Sequence, residues 1–86
     1  SYRIDAVARA TNSAGNKTVT CKLIEVASMS GDILAKYPNS AFVSRGSTGL
    51  LAWRDIESLS SDSVFTLICD LPPKTGLIGI SVTGED

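Results

Sequence analysis

Histidine is absent from this 86-residue chain. That removes the usual general base near neutral pH and the commonest metal ligand. A Ser-His-Asp or Cys-His nucleophile system therefore cannot be assembled from this chain alone. Cysteine is scarce: Cys21 and Cys69 are too few for a disulfide scaffold and too far apart for a zinc site, which needs close pairs of ligands. Charge is also scarce, at 20% of residues with a net of −1. No basic stripe is present to neutralise phosphates, since Lys17 and Lys22 stand alone. No apolar run approaches the roughly 18–20 residues that a bilayer-spanning helix requires. The glycines match neither a P-loop nor a dinucleotide fingerprint.

What is present is ordinary globular material. Hydrophobic residues make up 43% of the chain, which argues against disorder. The length predicts a single domain, residues 1–86. The chain opens Ser1-Tyr2-Arg3-Ile4-Asp5, already strand-like and without a signal-peptide pattern. Together with the lack of a first methionine, this predicts a fragment of a larger protein, a cleaved mature product being the alternative.

Alternation dominates the pattern. Tyr2, Ile4, Ala6, Ala8 and Ala10 share one parity, with Arg3, Asp5 and Arg9 on the other, which predicts a half-buried strand. Asn12 to Asn16 predicts a hairpin loop. The return strand runs from Thr18 to about Ala27, with Val19, Cys21 and Leu23 on one face. The apolar parity then moves to Ile24 and Val26, which predicts a bulge or a change of face. Asp32 is placed to cap a short helical turn through Lys36, stopped by Pro38. A strand or loop surrounds Ala41-Phe42-Val43. Leu50, Trp53, Ile56 and Leu59 fit a short helix, whereas Leu51 and Trp53 alternating with Ala52 and Arg54 fit a strand, which the β-rich context favours. Val64 to Leu71 reads as a central strand buried on both faces. Pro72 to Gly76 is turn chemistry, and Leu77 to Val82 completes the strongest predicted hairpin. Gly79 marks a bulge or close approach, and residues 84–86 form an acidic, frayed end. The sum is an all-β domain, or a β-rich one with one short helix. Its five or six strands would form a small sandwich, a jelly-roll-like fold or a partly open barrel.

Candidate site residues are few. Cys21 and Cys69 either bridge, closing a long loop, or stay as buried thiols acting as small hydrophobes. Tyr37 and Trp53 lie in less regular segments and are candidate interface anchors, a core position being the plainer reading of Trp53. Stacking of nucleobases would need basic neighbours, and only Arg54 qualifies. Asp55, Glu57 and Asp62 lack the spacing of a calcium loop, and Asp70 reads as an edge charge that blocks pairing. Asn16-Lys17-Thr18 fits a glycosylation sequon at a turn. No catalytic, metal or cofactor residue is assigned.

The stretch from Ser61 to Pro72, SDSVFTLICDLP, resembles a strand region in the protruding domain of tombusvirus- and nodavirus-type capsid proteins. Lys17 to Ala27, with Cys21, is similar to an earlier strand of that domain. The resemblance implies a jelly-roll-like spike module on a virion surface that dimerises and meets a host surface. No functional residue carries over.

The function expected is thus non-enzymatic: a β-domain mediating protein–protein interaction or self-association as a homodimer, with a capsid spike as its most concrete form. A small secreted binding protein or effector with one disulfide is the first alternative, and a small nucleic-acid-binding barrel the second. No cofactor and no membrane span are expected.

Overall fold

The computed structural model describes residues 1–85. Six strands account for most of them: β1 (Tyr2–Ala10), β2 (Lys17–Ala27), β3 (Ile33–Val43), β4 (Thr48–Ile56), β5 (Ser63–Asp70) and β6 (Thr75–Gly84). They form two three-stranded antiparallel sheets, ordered β4-β1-β6 and β3-β2-β5, which are not closed into a barrel. The protein is therefore a small all-β sandwich. Among the described residues no helix occurs, and so none is long and apolar enough to cross a membrane.

β1 and β2 are the central strands, and their alternation builds the core. Ile4, Ala6, Ala8 and Ala10 of β1 face Val19, Cys21 and Leu23 of β2, joined by Ala41, Val43, Leu51, Trp53 and Ile56. The alanines matter because small side chains let the two sheets approach. The sheets come close at Gly49, opposite Ala8 in register. A Cβ there would sit 2.9 Å from Val43 Cγ1 and 3.1 Å from both Ala41 Cβ and the Phe42 carbonyl oxygen. The chain crosses from β3 to β4 through the Ser44–Ser47 turn, where Gly46 takes a φ of 67°. That left-handed conformation favours glycine, whereas the Asn12 side chain that a Cβ there would meet is exposed and able to swing aside.

Several sequence expectations are revised by this topology. Residues 11–16 do not close a hairpin but carry the chain from one sheet to the other, and the same holds for residues 71–74. β2–β3 is the only pair of consecutive strands that bonds, among the described residues. No helical turn follows Asp32: β3 runs through Pro38, which an edge strand tolerates because one of its sides makes no ladder bonds. Residues 48–56 form a strand, not a helix. β5 is an edge strand, with side chains alternating between half-buried and exposed, not a strand buried on both faces. In β2 the alternation continues past Leu23, and pairing with β5 is unbroken from Thr20 to Ala27; the register shift falls one step later, at Glu25/Val26 against β3. A register shift does occur beside Gly79, where Leu77 and Gly79 oppose Ala8 and Val7 and leave Ile78 as the extra residue. Of the acidic end, Gly84 belongs to β6 and the Glu85 N–H donates to the Ser1 carbonyl at 2.8 Å; Asp86 lies outside the described residues.

Candidate functional site

The two long sides of the sandwich differ. On the β3/β4 side, side chains tie one sheet's backbone to the other's. Asn39 Nδ2 donates to the Ala52 carbonyl at 2.9 Å, and the Trp53 indole N–H donates to the Tyr37 carbonyl at 2.9 Å. Nothing comparable joins β5 to β6 among the described residues.

The β5/β6 side is consequently open, and its inner lining is apolar. Register identifies the inward residues, because side chains directly opposite on neighbouring strands share a face. Val82 lies opposite Ile4, Ile80 opposite Ala6 and Leu77 opposite Ala8, so all three share β1's core-facing side. Ile80 is nevertheless 57% exposed and Val82 64% exposed. From β5, Phe65 and Leu67 lie opposite Glu25 and Leu23, and both are half-buried. Between these strands runs a groove of about 270 Å³ lined by Tyr2, Ile4, Ser58, Ser63, Phe65 and Val82. Large inward side chains without a covering layer are the informative kind of exposure.

Glu25 closes one end of this region. It is the one buried charged side chain among the described residues. Its carboxylate accepts hydrogen bonds from the Ser63 hydroxyl, from the Leu59 N–H at 2.8 Å and from the Ser58 hydroxyl at 3.1 Å. The Ser63 bond is the largest influence and lowers the carboxyl below the ordinary 4.5; burial opposes it, and the Leu59 and Ser58 bonds reinforce it. The loop between β4 and β5 is thus held to β2 by one ionised group. A folded pKa below the unfolded value means that this stabilisation is complete above about pH 4.5 and is lost as pH falls through the lowered value. Thermal unfolding followed from pH 7 to pH 2 should show a decline that starts near pH 4.5. In Glu25→Gln the part of that decline due to this carboxyl should vanish, and stability at pH 7 should be lower than in the wild type. An unchanged acid profile in Glu25→Gln would rule out this role.

Sequence reasoning missed Glu25. Strict alternation from Val19 through Cys21 and Leu23 lands on residue 25 as the next inward position. The apolar Ile24 beside it suggested a change of face. In the structure Ile24 stays on the outer face of its sheet and is buried there, outside the main core.

The other candidates are scattered. Cys21 and Cys69, directly opposite on β2 and β5, are joined by a disulfide, with Cα atoms 4.0 Å apart. Trp53 is 5% exposed and belongs to the core, so it offers no surface to a partner; Tyr37 is half-buried against that core. Asp55, Glu57 and Asp62 do not converge into a metal-holding group among the described residues. Asn16 is exposed between β1 and β2. Asp70 ends β5 as an exposed side chain. No family model matches the chain, and no curated protein or solved structure matches it either.

Proposed function

We propose that this is a non-enzymatic β-sandwich module that works by protein–protein contact through its open β5/β6 side. The observation that carries this reading is the exposure of inward-facing Ile80 and Val82, which a free-standing sandwich would cover. A capsid surface spike is its most concrete form, supported by the resemblance of residues 61–72 and by a sandwich architecture compatible with a jelly-roll-like module. The Cys21–Cys69 bond favours a second form, a secreted binding protein, because such bonds persist in oxidising compartments. The third expectation, a nucleic-acid-binding barrel, has no closed barrel to rest on.

A Lys-capped peptide of alternating valine and threonine tests the open side directly. It should bind saturably, read by fluorescence anisotropy, and Ile80→Lys should abolish the binding while leaving the circular dichroism unchanged. Absence of binding, or turnover of a substrate by the isolated chain, would refute the proposal.

A further inference from the structure

The four edge strands differ in how their free backbone is protected. β3 carries Lys36 and Pro38, and its Tyr37 carbonyl is taken by the Trp53 indole. β4 gives its Ala52 carbonyl to Asn39, carries Arg54, and is kinked at Asp55, where φ is 54°. These are devices that keep an edge from pairing: charge, proline, side-chain capping and local kinks. β5 ends in Asp70, and its inward side chains are half-buried. β6 has none of the chemical devices. Its ten residues, TGLIGISVTG, include no charge and no proline, and all seven from Ile78 to Gly84 are exposed. Its single irregularity is the shift at Ile78, which leaves the stretch from Gly79 to Gly84 regular.

We propose that the occupant of this edge is a second copy of the chain, with β6 pairing antiparallel to β6 of its partner about a two-fold axis at Ser81. The inference rests on reading the open side as an interaction surface and names its partner. A two-fold antiparallel contact sets the residue on the axis against its own copy and each other residue against the one equally far beyond the axis, so a charge at the centre of the edge would meet like charge, whereas β6 carries none. With Ser81 opposite Ser81, inward Ile80 lies opposite inward Val82 on both sides of the axis, and outward Gly79 lies opposite outward Thr83. The pairs on the inner face are then β-branched against β-branched, the kind that stabilises a sheet. The two copies would share one six-stranded sheet, β4-β1-β6-β6-β1-β4. A second sheet would lie on the same side in both copies, so each groove would continue into the next. Pairing about Ser81 covers the most exposed apolar strand of the protein, and the choice of a second copy needs no chemistry beyond what β6 already carries.

Two substitutions at Ser81 test the register. The residue lies on the outer face, opposite Asp5 in β1, so Ser81→Lys gains a favourable neighbour within its own chain. Across the axis it sets two ammonium groups face to face. Sedimentation equilibrium should give twice the monomer mass for the wild type at high micromolar concentration. Ser81→Lys should weaken that association at least about tenfold, with an unchanged circular dichroism spectrum. Ser81→Cys should form a reducible covalent dimer in air, because directly opposed residues of antiparallel strands lie within disulfide reach. A cysteine in place of exposed Thr66 on β5 should not. A wild type that stays monomeric up to about 1 mM overturns the self-pairing. So does a dimer indifferent to Ser81→Lys that fails to crosslink at Ser81→Cys. If such a monomer still binds the Val–Thr peptide, only the second copy is refuted; if it binds nothing, the open side itself is refuted as an interaction surface.

Discussion

Replacing both Cys21 and Cys69 by alanine should destabilise the protein by about 4 kcal/mol, the chain-entropy value for a bond spanning 48 residues. A domain of this length carries only about 4–13 kcal/mol of total stability. The double variant should therefore sit near its unfolding limit at physiological temperature, with a urea midpoint far below that of the wild type. The position of the bond explains the size of the effect. It links the central strand of one sheet to an edge strand that the chain reaches only after crossing to the other sheet and back. Without the bond, β5 is held by its ladder to β2 and by the loop pinned at Glu25. Urea unfolding of the Cys21→Ala/Cys69→Ala protein measures the loss. A midpoint within experimental error of the wild type would show that the bond contributes nothing to stability.

Trp53→Ala should cost about 3–5 kcal/mol, the usual range for removing a large buried aromatic. Two effects combine there. The indole fills core volume opposite Ile4, and its N–H satisfies the Tyr37 carbonyl across the seam between the sheets. Trp53→Phe separates them: it keeps much of the volume and drops the hydrogen bond, so its cost should fall to about 1–2 kcal/mol. Equal costs for alanine and phenylalanine in denaturant titrations would assign the whole effect to the hydrogen bond. Loss of the indole should also unprotect the β3 edge, and the alanine variant should aggregate at lower concentration than the wild type.

The sequence made faces legible and partners illegible. Ile4, Ala6, Ala8 and Ala10 alternate cleanly, and they are the buried face of β1. Leu51 and Trp53 alternate with their neighbours, and the strand reading of that segment agrees with β4. Period two says which way a side chain points and nothing about which strand lies beside it. That is why Asn12–Asn16 and Pro72–Gly76 read as hairpins: turn residues mark where the chain reverses, not whether the next strand joins the same sheet. Pro38 misled for a related reason. Proline excludes a central strand, but the edge status of β3 is fixed by long-range pairing that no local signal carries. The apolar run from Val64 to Leu71 looked doubly buried because Val64 and Ile68 supply apolar character to a face that is exposed. Nor could spacing show the open side, because the register of β6 against β1 decides which of its residues point inward.

The bonds from Asn39 and Trp53 make the β3/β4 side behave like the spine of a book, while β5 and β6 are the margins of its covers, joined to each other at one end by residues 71–74. Displacement grows with distance from a spine. Small fluctuations of the sheets therefore translate into larger changes of width at the margins, without breaking any backbone ladder. Any segment seated at that mouth would thus meet a width governed from the far side, by where two side chains are anchored.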